Sequence, residues 1–160
     1  MSYAARSDPE RGIATWCWLG PTVTAAEWDR HVADVLAVRT WPHPERRPAV
    51  LIHLIDSRFV PNARQRTQLA TITDHPMYRA NVAVVTRNPV IRGVMQAMAW
   101  LRPGNNYQLR AFKGLTHAVA WLETERGKPL ELVELLREAH RELGVENRHF
   151  DLDRPSTVEL

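Results

Sequence analysis

Cysteine is nearly absent from this 160-residue chain: Cys17 stands alone, which excludes an internal disulfide framework and any cysteine-cluster zinc site. Lysine is scarce too, since only Lys113 and Lys128 stand among the 21 basic residues. No run of 18 or more apolar residues occurs, so no membrane-spanning helix is expected. The first residues, Met1 to Asp8, lack the apolar core of a secretory signal, and a soluble, cytoplasmic protein is the expectation. There is no Gly-x-Gly-x-x-Gly, no Walker loop, no Gly-x-Ser-x-Gly, and no paired histidines at helical metal-binding spacing. Nucleotide cradles and the familiar hydrolase elbow therefore have no support. What is present is ordinary globular material, 44% hydrophobic and 24% charged, enough for one domain with one sizeable core.

Charge is uneven along the chain. Residues 46–113 carry eleven Arg or Lys against Asp56 and Asp74, while residues 116–160 carry six basic groups and ten acidic ones. Such a split marks either a surface for anions or an acidic partner, or a basic middle neutralised by the acidic C-terminal helix, which is the simpler expectation.

Periodicity divides the chain clearly. A short first strand over 1–7, the turn cluster Asp8-Pro9-Glu10-Arg11-Gly12 and an alternating strand over 13–19 predict a hairpin. Thr24 and Glu27 form a capping box, with Val23 and Trp28 at the staple positions, so a helix is predicted over 24–40 with Trp28, Val32, Val35 and Leu36 inward. The apolar run 49–55, broken by His53, reads as a central strand in which His53 is a hydrogen-bonded core residue. Asn62 and Gln65 cap a helix over 62–74, and 81–86 is a second buried strand. Pro89 opens a nearly all-apolar helix over 88–101, 107–112 is a strand, and Thr116 is read as the cap of a short helix through Leu122. A last helix over 129–143 has Pro129 near its start and Gly144 past its end. Residues 146–160 read as an irregular tail, so the domain is expected to occupy 1–145.

The order ββαβαβαβα plus an added helix predicts an α/β domain. Its single mixed, largely parallel sheet would have about five strands, with helices mainly on one face. The opposite face then needs a cover, and Trp16 and Trp18 are candidates for it.

Two stretches resemble a known family. Trp18-Leu-Gly-Pro-Thr-Val-Thr24 followed by Glu27-Trp28, and Tyr107-Gln-Leu-Arg110-Ala-Phe112 followed by Ala118-Val-Ala120-Trp121-Leu122, resemble SpoIIAA-like (STAS-type) domains. In that family a last strand of form Arg-x-Phe leads into a helix ending Ala-x-x-Trp-Leu. The resemblance spans about residues 2–123, and helix 129–143 lies outside it. It implies a regulatory or scaffolding module working by contact; its lipid-carrier branch implies an amphiphile under a helical lid. The related anti-anti-sigma proteins switch through a phosphorylated Ser, but the matching place here, Pro61-Asn62, has no hydroxyl, and Asp56-Ser57 falls about five residues early.

No reactive constellation emerges from the residues, so a non-catalytic protein without cofactor or metal is the expectation. His149-x-Asp151-x-Asp153 would hold a cation only weakly. The expected contact surface is Arg92, Met95 and Met98 on the apolar helix, with Arg64 and Arg66 receiving an acidic group. Its partner would be another protein, a second copy of the chain, or a lipid-like ligand; nucleic acid is not expected, because the basic residues are scattered.

Overall fold

The computed structural model describes residues 1–43, 46–100 and 106–144. Its core is one five-stranded sheet: β1 (Tyr3–Asp8), β2 (Ile13–Trp18), β3 (Ala49–Ile55), β4 (Ala80–Val85) and β5 (Tyr107–Phe112), lying side by side in chain order. β1 and β2 form the antiparallel hairpin, turned through Gly12 at φ 64°, a left-handed conformation that glycine adopts without strain. The remaining pairings are parallel, with Trp16 opposite His53 and His53 opposite Val84.

Three helices bridge the parallel strands: α1 (Ala25–Ala37), α2 (Ala63–Thr73) and α3 (Pro89–Trp100). Because each step moves the sheet one strand onward, right-handed crossovers leave all three on the same face. Trp28, Val35, Ile72 and Ile91 from these helices pack with Trp16, Trp18, Leu51 and Val84 of the sheet. The reverse face is covered by α4 (Leu115–Arg126) and α5 (Leu132–Leu143), whose Leu122, Leu132, Leu136 and Ala139 pack on Ile13, Cys17, Val50 and Ile52. Each buried leucine there contributes about 2 kcal/mol of apolar burial.

The α/β class and the single mixed sheet agree with the sequence, but the helices divide three to two between the faces. Trp16 and Trp18 lie on the three-helix face, because the two-residue period of β2 sets them with Ala14 and opposite Ile13 and Cys17. The added helix α5, not the tryptophans, covers the reverse side.

Both expected capping boxes form. Thr24 Oγ1 accepts from the Glu27 amide at 3.2 Å, and Asn62 Oδ1 accepts from the Gln65 amide at 3.0 Å. Glu27 does more than cap, since its carboxylate also accepts the amides of Ser2 and Tyr3 and so pins β1 to α1. Two helix starts differ from expectation. Gly114 precedes α4, so Thr116 sits inside its first turn. Helix α5 begins at Leu132, because the segment holding Pro129 instead donates the Leu130 amide to Glu123. α1 ends early, in a 3-10 turn over Val38–Thr40, and Leu36 turns outward.

The ion pairs shown for the acidic helix reach the start of the chain rather than its basic middle. Glu142 pairs with Arg6 and Arg30, and Arg11 with Glu131, so the described ion pairs between α5 with its approach and the rest of the chain reach the first thirty residues. The chemistry is simple proximity: α5 crosses β1 and β2 and meets the arginines there. The tail, His149-x-Asp151-x-Asp153, Leu101 and Arg102 lie outside the described residues.

Candidate functional site

Sheet and α1–α3 do not close completely on each other. Between them is a cavity of about 400 Å³. Its floor is the sheet, with Trp16, Trp18, His53, Val84 and Leu109; its walls are α1 and α2; and α3 lies over it with Ile91, Met95 and Met98. Small-molecule sites run from about 300 to 1,000 Å³ and are mostly apolar with a few placed polar groups, which is the composition seen here.

The aromatic side of this cavity is tightly organised. The Trp16 ring meets both His31 and His53 edge-on at 5.5 and 5.7 Å, and Tyr3 packs on Trp18 at 4.3 Å between centroids. Trp28 closes the corner, its Nε1 donating to Gln68 of α2 at 3.0 Å. At the other end Tyr78 and Tyr107 meet in a T at 5.6 Å.

Two histidines form the polar part. His31, on the inner face of α1, is 2% exposed, and its ring lies 5.1 Å from that of His53. His31 Nδ1 is 3.2 Å from the Tyr3 hydroxyl, which donates to Asp34 Oδ2 at 2.8 Å. Burial, and then His53, pulls the His31 pKa well down. Burial alone pulls His53 down to about 4. Both rings are therefore neutral near pH 7. Burial raises the Asp34 carboxyl, while the Tyr3 hydroxyl and the Arg30 guanidinium draw it back. His53 was expected as a satisfied core residue; instead its Nε2 is enclosed without a hydrogen-bond partner, and the surface that the ring still shows belongs to the cavity wall.

The five residues expected at a contact surface do not form one patch. Met95 and Met98 line the cavity, turned toward the sheet rather than outward. Arg66 is also part of the lining, with Nη1 donating to the Pro61 carbonyl at 2.6 Å. Arg64 is exposed on α2 and is not among the lining residues. Arg92 folds back to donate to the Thr86 and Arg87 carbonyls, bracing the turn into α3. Ser57 lines the cavity, but its hydroxyl is committed, donating to Gly20 O at 2.6 Å and accepting the Phe59 amide. Cys17 is buried on the reverse face, where burial pushes its thiol up to about 12.

Sequence reasoning missed His31. The signal was available: Trp28, His31, Val35 and Val38 recur at three and four residues, and all four are buried. A polar residue in that series went unread.

Among the described residues no group of three or more His, Cys, Asp or Glu gathers as a metal site, and no helix is long and apolar enough to cross a membrane. No family model, curated protein or solved structure matches the chain. The segments that resemble SpoIIAA-like domains have a physical basis of their own. Arg110 lies over both Phe112 and Trp121, at 5.6 and 5.4 Å, and Leu122 is fully buried, so that motif is a packing lock between β5 and α4 on the reverse face.

Proposed function

We propose that this protein is a binding module that takes up a small, mostly apolar molecule between its sheet and α3. The observation that carries this reading is the partly open cavity of about 400 Å³ between the sheet and α3, walled by tryptophans, aliphatics and two methionines. Close packing is the rule in protein interiors, and a void this size forgoes much dispersion energy unless something fills it. At about 30 Å³ for each water-sized group, it accommodates roughly a dozen non-hydrogen atoms. A two-chain lipid is several times too large, so the amphiphile expected from the family resemblance narrows to a compact ring system or a short chain. The methionines of α3 suit such a task, since their unbranched side chains adapt to varied shapes. A SpoIIAA-like kinship belongs to the same proposal and is supported by the Arg110, Phe112, Trp121 lock.

Naphthalene is a probe of fitting size. Calorimetric titration is expected to show one site per chain, and Met98→Glu, which sets a charge in the lining, is expected to abolish it while far-UV circular dichroism stays unchanged. Absence of binding by the wild type, or binding indifferent to Met98→Glu, would overturn the reading.

A second reading, docking of a protein partner or a second copy, is favoured by the end of α3, where Trp100 is 76% exposed and does not line the cavity. Light scattering tests it: an assembly that Trp100→Glu dissociates supports contact through this side, and a monomer in both cases removes the second-copy form.

A further inference from the structure

The hydrogen bonds behind the cavity determine which ligand polarity it receives. Tyr3 has one hydroxyl proton, and it goes to Asp34 Oδ2, an acceptor-only carboxylate oxygen 2.8 Å away. The Tyr3 oxygen can then only accept, so the 3.2 Å contact with His31 requires a proton on His31 Nδ1. A neutral imidazole has a single N–H. His31 Nε2 is therefore a bare acceptor.

Three further polar groups of the lining are committed within the protein. Ser57 is bonded to Gly20 and Phe59, Thr73 donates to Leu69 O, and Trp28 donates to Gln68. His31 Nε2 receives no hydrogen bond from the described residues, whereas His53 Nε2, also without a partner, is enclosed. Among the described residues no carboxylate lines the cavity, and Arg66 is the one charged residue that does.

We infer that the ligand of this cavity carries a neutral hydroxyl, donated to His31 Nε2, on an apolar body. The inference rests on the cavity being a binding site, as proposed above. A hydroxyl gives that nitrogen a proton without bringing a charge into the cavity. A hydrocarbon would leave His31 Nε2 unsatisfied in an apolar enclosure, and a carboxylate would bring a charge among neutral rings.

Calorimetric titration with naphthalene, 2-naphthol and 2-naphthoate tests this on the full chain. In a purely apolar cavity naphthalene would bind best, because 2-naphthol must surrender its bond to water. The expected order is instead 2-naphthol over naphthalene by about fivefold, the yield of one good hydrogen bond, with 2-naphthoate weaker than both. Tyr3→Phe keeps the ring on Trp18 but frees the His31 tautomer, and is expected to erase the preference for 2-naphthol while naphthalene affinity stays within about twofold. Should that variant fail to fold, imidazole ¹⁵N shifts of the wild type supply the second readout: His31 protonated on Nδ1 supports the inference, and protonation on Nε2 overturns it. Naphthalene binding as well as or better than 2-naphthol overturns the hydroxyl inference alone. Tighter binding of 2-naphthoate does so too, and assigns the polar end to Arg66. If none of the three binds, the cavity is no ligand site and the reading beneath the inference fails with it.

Discussion

Acidification probes the buried imidazoles most directly. His53 titrates near 6.5 in an unfolded chain, and burial pulls it down to about 4 in the folded protein. Between those values the unfolded state takes up a proton that the folded state refuses, so stability falls as the pH falls. From about pH 7 to about pH 5, linkage sets the loss from His53 alone at about 2 kcal/mol, a roughly 20-fold shift in the folding equilibrium. His31 is lowered in the same direction, by burial and then by His53, and adds to the loss. His43, lowered by burial and then Arg79, adds a little more.

The carboxylates act in a lower window. Glu142, lowered chiefly by its bond to Arg30, and Glu27, which burial raises but the Thr24 and Ser2 amides lower on balance, lose their contribution as the pH falls from the ordinary carboxylate range through their lowered folded values. Asp34, raised by burial, works the other way, since its folded form takes the proton first. Urea unfolding followed by tryptophan fluorescence across this range, for wild type and His53→Phe, separates the groups. The variant is expected to show a pH slope shallower by about 2 kcal/mol between about pH 7 and about pH 5. Parallel slopes for the two proteins would refute the assignment of that loss to His53.

Two further substitutions test the frame. A Cβ on Gly20 would lie 2.0 Å from Ser2 Oγ and 2.5 Å from its Cβ, so Gly20→Ala is expected to cost about 1–3 kcal/mol in urea unfolding, most of it restored by adding Ser2→Gly. Arg126, buried at 3% exposure, donates to the carbonyls of Arg11, Gly12 and Pro48. Arg126→Met is expected to lose roughly 2–4 kcal/mol, and Arg126→Lys to recover only part, because one ammonium cannot reproduce the guanidinium fork; melting temperatures of the three proteins check the order.

The scaffold was legible where local chemistry decides. Ala49–Ile55 and Tyr107–Phe112 match their expected strands residue for residue, and both capping boxes form as their spacing required. It was less legible where long-range contacts decide. Nothing near Pro129 in sequence tells that the Leu130 amide will bind Glu123, which delays α5, and nothing near Glu142 tells that it will meet Arg6 and Arg30. The site divides the same way. Met95, Met98 and Arg66 were singled out and do line the cavity, but as interior surface rather than as a docking face. His31 became meaningful only once β1 placed Tyr3 beside it, a pairing across 28 positions that no local pattern encodes.

Chain order also divides the labour of the sheet. Every described residue lining the cavity is supplied by Leu109 or earlier, whereas α4 and α5, laid down afterwards, rest on the far side. Substitutions on opposite sides of a sheet that share no partners tend to add in free energy. A reinforced version built by optimising the last two helices could therefore absorb disruptive changes in the chamber itself, which makes this small protein a convenient chassis for evolving new ligand preferences without rebuilding its backbone.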